Sequence, residues 1–179
     1  KFLADRTPLG NTDLLGVLRS ALGSLASESS PSAILYVGDG PGLSGILPED
    51  FAITVAALRD SRVSFSAVTI GTKVNWPCLA ALAAQTGGNV VQPNSTLPAS
   101  QAGASIAPRL VSPILWPDDQ TLSITTPTED ASMAMLPFQM PPLRHDRESF
   151  VLLLGPLEKS VIEISTEITP FADRPEAWG

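Results

Sequence analysis

Apolar positions in "TDLLGVLRSALGSLAS" recur at Leu14, Leu15, Leu18, Ala21, Leu22 and Leu25, a helical spacing that predicts a helix over residues 12–27. Asn11 or Thr12 is placed to cap its start, and Asp13 suits the positive end of the helix dipole. "AILYV", residues 33–37, is a continuous apolar run and reads as a parallel strand buried on both faces. "PEDFAITVAALRDS" follows as a second helix, with Pro48 in the first turn beside Glu49 and Asp50. "VSFSAVTI", residues 63–70, reads as a strand, and "NWPCLAALAAQTGG" as a helix from about Trp76 to Thr86. Gly87 and Gly88 supply the left-handed exit from that helix, and "NVVQP" is a short last strand.

Helices and strands alternating at this length predict an α/β fold: a doubly wound, Rossmann-like, mostly parallel sheet with helices on both faces. The first strand of such a sheet should precede residue 12, where only "KFLA" is available, so the sheet is expected to be incomplete on its N-terminal side. Residues 94–112 are small and polar, with Pro98 and Pro108, and read as a connector holding a short helix around Ser100–Ala107. Beyond Pro113 the pattern changes to short β-branched runs, "ILWP", "TLSITTPT", "SFVLLLG" and "SVIEIST", separated by Pro, Asp or Gly. They predict a small antiparallel β unit. The expected division is 1–98 for the α/β part, 99–112 for the connector and 113–179 for the β-rich extension.

Composition narrows the function. The chain has 179 residues, 44% hydrophobic and 16% charged, with a formal net charge of −7, so it should bury a core and has no basic stripe for nucleic acid. The single cysteine, Cys78, excludes an internal disulfide and any CxxC metal site, and reads as a buried, inert thiol. No apolar run reaches the length of a membrane span, and no signal peptide is visible. A start at Lys1 and an end at "RPEAWG" suggest a processed fragment of something longer.

The stretch that bears most on chemistry is "ILYVGDGPGLSG", Ile34–Gly45, an apolar strand ending in a glycine-rich turn with one acid, Asp39, which reads as buried. Gly40–Gly45 is formally a GxGxxG. A dinucleotide loop, however, needs its helix to begin inside the motif and an acid at the end of the next strand. Here Pro41 interrupts the motif, the helix starts only near Pro48, and "VTIGTK" carries no acid. A plain turn explains the glycines but not an acid at the carboxyl end of a strand, the edge where open parallel sheets bind ligands. The third reading is a hard-cation site for Mg²⁺ or Mn²⁺, with Asp39 giving a carboxylate and Thr12 a hydroxyl from a neighbouring loop.

"PLGNTDLLGVLRSAL", "AILYVGDGPG", "VSFSAVTIG" and "LAALAAQTGGNVVQP" follow one another in the order and spacing of the von Willebrand factor type A family, over about residues 8–93. The chain resembles the carboxyl-side half of that domain. The resemblance implies a metal-ion-dependent adhesion site at the carboxyl edge of the sheet. Thr12 of "GNT" matches the family's threonine, and Asp39 matches its later aspartate. The hallmark Asp-x-Ser-x-Ser loop belongs to a first strand this chain lacks, which leaves at most two of the five usual ligand positions. "MPPLRHDRESFVLLLG" is similar to the β extension of large bacterial surface or secreted proteins that carry such domains.

Other residues weigh less. His145 in "RHDRE" suggests a hydrolytic triad only superficially, because triads are assembled in space rather than along the chain. Ser44 has no supporting base. Trp76, Trp116 and Trp178 read as packing residues, and Glu158, Glu163 and Glu167 as a solvated face. The expectation is therefore a non-enzymatic protein–protein interaction or adhesion module, extracellular or in the cell envelope, binding a protein partner through the carboxyl edge with Thr12 and Asp39 as metal ligands. The alternative is a structural subunit completed by a second fragment or another chain, and a third is a nucleotide-binding oxidoreductase.

Overall fold

The computed structural model describes residues 12–25, 32–41, 46–93, 98–110, 112–116, 122–125, 134–136, 140–155 and 161–164. The chain forms two compact units, Lys1–Leu110 and Val111–Gly179.

In the first unit, helix α1 (Leu14–Leu25), strand β1 (Ala33–Gly38), helix α2 (Pro48–Asp60), strand β2 (Ser64–Thr69), helix α3 (Trp76–Thr86), strand β3 (Val90–Val91) and helix α4 (Ala99–Leu110) follow in order. The strands form a parallel sheet, β1-β2-β3, with Ile34 opposite Phe65 and Gly38 opposite Thr69. This is the α/β, Rossmann-like arrangement that the alternation predicts. Helix α4 spans more than the short helix expected at Ser100–Ala107 and accounts for most of the segment read as a connector.

The core lies between one face of the sheet and the first three helices. Leu14, Leu15 and Leu18 of α1, Leu58 of α2, and Leu79 and Leu82 of α3 close over Phe65 and Ala67 of β2. Ile34 and Tyr36 of β1 pack against the same cluster, and the Tyr36 and Phe65 rings stack at 6.2 Å. A strand order that advances in one direction, joined by right-handed crossovers, puts α2 and α3 on the same face. On the opposite face Leu35 and Val37 stay 49% and 55% exposed. The "AILYV" run is therefore half-exposed in the described structure and not buried on both faces, because among the described residues nothing covers the face of β1 that carries Leu35 and Val37. Strand β2, between its two neighbours, is the one buried almost throughout.

Helix boundaries have local causes. Helix α1 starts two residues later than predicted: Asp13 Oδ1 accepts the Gly16 N–H at 2.9 Å, so Asp13 and not Thr12 is the cap. Helix α2 leaves through Arg62 at φ 51°, with Arg62 N–H donating to Arg59 O and Val63 N–H to Leu58 O, both at 2.8 Å, a Schellman exit built without glycine. Helix α3 leaves through Gly87 at φ 74°. Gly88 is needed for a different reason from the predicted one. A Cβ there would come within 1.7 Å of the Phe65 carbonyl oxygen, where the chain crosses β2.

In the second unit, β4 (Ile114–Leu115) pairs antiparallel with β7 (Leu143–Arg144), β5 (Leu122–Thr125) with β9 (Val161–Ile164), and β6 (Ala134–Leu136) with β8 (Leu152–Leu154). The predicted strands are present. Strands β6 and β7 were not predicted, being three and two residues long with no β-branched alternation to mark them.

Candidate functional site at the carboxyl edge of the sheet

The turn after β1 is fixed from three directions. Ile70 N–H, at the end of β2, donates to Gly38 O at 3.1 Å, and Asn75 N–H donates to Asp39 O at 2.7 Å. The Tyr36 hydroxyl reaches forward along its own strand, accepting the Gly40 N–H at 3.1 Å and donating to Gly40 O at 3.3 Å. Gly40 adopts φ +108°, and a Cβ on it would lie 3.0 Å from Asn75 Cβ. A Cβ on Gly38 would lie 2.4 Å from the Tyr36 hydroxyl oxygen. The two glycines of "VGDG" thus serve close approach of backbone to side chains. The Gly42–Gly45 part of the formal GxGxxG lies outside the described residues, and α2 begins only at Pro48, after a Leu47 that gives no side-chain cap.

The effect of this bracing is to hold Asp39 with its side chain exposed at the carboxyl edge. The expectation of a buried acid is corrected: Asp39 follows the last paired residue of β1, and the turn that buries Gly40 leaves the acid outward. Gly71, at φ +105°, lies beside it, where a Cβ would be 3.8 Å from Asp39 Cβ. Thr12 is half-buried and immediately precedes Asp13, the cap of α1. Among the described residues no group of three or more His, Cys, Asp or Glu side chains gathers around either. A carboxylate and a hydroxyl are the right donors for a hard cation, but two oxygens are a fraction of the coordination such ions take from protein and water.

Sequence reasoning missed Asn75. Its main chain anchors Asp39, and its side-chain Oδ1 accepts Cys78 N–H at 3.3 Å to cap α3. The signal was available, since an Asn two residues before a proline is a helix-start pattern. Asn75 also lines a cavity of about 360 Å³ between the β1 turn, the start of α2 and the first turn of α3, together with Pro41, Ile46, Phe51 and Cys78. Cys78 is half-buried rather than fully buried, and desolvation pushes its thiol pKa up, away from reactivity.

The remaining candidates resolve simply. His145 is exposed, and its Nδ1 lies 3.5 Å from Ser112 Oγ, the outer limit of a hydrogen bond. Asp146 is engaged by Arg144, which donates to both of its oxygens, at 2.8 and 2.7 Å, and this pairing, ahead of the smaller influence of His145, holds the Asp146 carboxyl at a pKa of about 2. Trp76 is 40% exposed, so it is not a core residue, whereas Trp116 is half-buried. Ser44, Glu158, Glu167, Trp178 and the side chain of Glu163 lie outside the described residues.

The described residues of this unit thus form a parallel three-stranded sheet with helices packed on it and an exposed aspartate held at its carboxyl edge. The sequence model of the von Willebrand factor type A domain matches residues 1–91 of the 179-residue chain. The chain belongs to the von Willebrand factor type A family. No curated protein matches it. Type A domains generally mediate protein–protein interaction, are typically non-enzymatic, and often bind a divalent metal. No helix among the described residues of this type A protein is long and apolar enough to cross a membrane.

Proposed function

We propose that this type A protein is a non-enzymatic adhesion or interaction module that binds a protein partner through the carboxyl edge of its sheet. The observation that carries the reading is the braced turn: Tyr36, Ile70 and Asn75 hold the backbone of residues 38–40 so that an exposed carboxylate, Asp39, faces outward. A turn fixed before binding loses little conformational freedom on binding, and that preorganisation favours affinity. Asp39 and Thr12 act as the chain's share of a partial site for Mg²⁺ or Mn²⁺, with the open coordination position taken by an acidic side chain of the partner. The setting that suits such a module is extracellular or the envelope of a bacterial cell.

The test is titration of Mg²⁺ and Mn²⁺ into the chain by calorimetry, with Asp39→Ala beside it. Heat of binding that is lost in Asp39→Ala, with the thermal unfolding curve unchanged, supports the metal-dependent form. Binding that survives the substitution removes it.

A second reading is favoured by one observation. Leu35 and Val37 expose an apolar face on β1, the outer strand of the sheet among the described residues. Such a face and edge suit a structural subunit completed by a second polypeptide. Native mass of the purified chain separates the two: a stoichiometric second polypeptide supports completion, and a monomer supports the self-standing module.

A further inference from the structure

Asp39 stands between two glycines, Gly38 and Gly40, the residue type with the widest choice of backbone conformation. The constraint that the glycines remove comes back from a side chain. Resting on the reading of the carboxyl edge as a binding surface, we infer that Tyr36 is the positioning residue of that edge. Its phenol hydroxyl, and not the ring alone, locks the turn that presents Asp39.

Three observations carry the assignment. First, Gly40 is buried, and the hydroxyl serves both of its backbone groups, accepting the N–H at 3.1 Å and donating to the carbonyl oxygen at 3.3 Å. The Asp39–Gly40 peptide is thereby gripped at both ends, its carbonyl by the Asn75 N–H at 2.7 Å and its own N–H by the hydroxyl. The Asn75 bond by itself is a pivot about which the peptide can turn; the bond at the other end removes that freedom. A buried N–H and C=O that lose their partner carry the cost of unmade hydrogen bonds. Removing the hydroxyl therefore favours turns in which Gly40 reaches water, and these carry Asp39 with them. Second, the hydroxyl is delivered by a ring that is itself held. The ring packs against the core cluster and stacks on the fully buried Phe65, with centroids 6.2 Å apart. Third, the chain makes room for the reach. A Cβ on Gly38 would lie 2.4 Å from the hydroxyl oxygen and 2.7 Å from the ring carbon that bears it, closer than any side chain can come. The glycine before Asp39 and the tyrosine two residues earlier are thus parts of one device, which ties the exposed acid to the core of the unit through the backbone.

Tyr36→Phe tests the role, because it keeps the ring and its stack on Phe65 and removes only the hydroxyl. Asn75→Ala is the control for general destabilisation, since it loses the cap of α3 and leaves both hydroxyl bonds in place. Amide hydrogen exchange is followed residue by residue in the metal-free full chain, and Mn²⁺ is then titrated while the broadening of the Asp39 signal is read. In Tyr36→Phe the Gly40 amide is expected to exchange at least about fivefold faster, the scale of one lost hydrogen bond. The Phe65 and Ala67 amides of β2, bonded to Thr86 Oγ1 and Asn89 O, should keep their protection. The Mn²⁺ concentration that half-broadens Asp39 should rise by a similar factor, because the turn is no longer fixed before binding. In Asn75→Ala neither quantity should move. The role is overturned if Gly40 exchanges at the wild-type rate in Tyr36→Phe, if the β2 amides accelerate with it, or if Asn75→Ala has the same effect. Faster Gly40 exchange with an unmoved Mn²⁺ midpoint also overturns it, since the turn then loosens without consequence for Asp39. If the wild-type chain shows no broadening at Asp39 at all, the cation reading fails, and selective acceleration of Gly40 in Tyr36→Phe still upholds the positioning role.

Discussion

The main-chain N–H of Asn75 donates to the carbonyl oxygen of Asp39 at 2.7 Å, joining the end of the first strand to the residue that caps the third helix. The bond is made by backbone on both sides, so it depends on where Asn75 sits and not on its side chain. The side chain has separate work, accepting the Cys78 N–H. Substituting Asn75→Ala should therefore lower stability by about 1 kcal/mol through the lost cap and leave Asp39 where it is. Denaturant unfolding gives the first quantity. An unchanged amide chemical shift for Gly40 checks the second.

Gly88→Ala should be far more damaging than its position outside any helix or strand suggests. The added methyl would meet the Phe65 carbonyl oxygen at 1.7 Å, and the object in the way is the main chain of the most buried strand, which cannot swing aside. Destabilisation of about 3 kcal/mol or more is expected, read as a large drop in denaturation midpoint or as failure to fold. The same substitution at Gly103, where nothing lies within 4 Å of the added carbon, should be neutral or stabilising.

The pairing of Arg144 with Asp146 predicts acid sensitivity in the second unit. The Arg144 side chain is fully buried, and its hydrogen bonds lower the Asp146 carboxyl pKa from 3.8 to about 2. A carboxyl whose folded pKa lies below its unfolded one adds stability that is complete above pH 3.8 and is lost as pH falls through about 2. Asp146→Asn should therefore destabilise the unit at neutral pH by no more than about 1 kcal/mol, because the carboxylate is exposed and water screens the pair, and flatten the dependence of stability on pH in that window. Unfolding midpoints taken across the window for both proteins test this.

Much of the first unit was legible in the sequence because its signals are local. The helical spacing of Leu14, Leu15 and Leu18, the proline at the start of α2, and the glycine that ends α3 each act within a few residues. What escaped prediction depends on partners distant in sequence. The run "AILYV" looks buried on both faces, yet among the described residues nothing packs over its second face, and Leu35 and Val37 stay uncovered. Asp39 looks buried at the end of an apolar strand, yet the turn held by Tyr36 and Asn75 turns it outward. At the candidate site, the residue types were readable and the bracing was not, because a tyrosine reaching forward to Gly40 leaves no periodic trace.

The proposed cation-dependent binding edge stands or falls with the exposed Asp39 and with Thr12. The most direct measurement is paramagnetic line broadening: Mn²⁺ is added at low ratio to the isotope-labelled chain, and amide signals are followed residue by residue. The signals of Thr12, Asp39 and Gly40 should broaden first, Mg²⁺ in excess should restore them, and Asp39→Ala should abolish the effect. Broadening confined to other acidic residues such as Glu49 or Asp60, or unchanged in Asp39→Ala, would contradict the proposed edge.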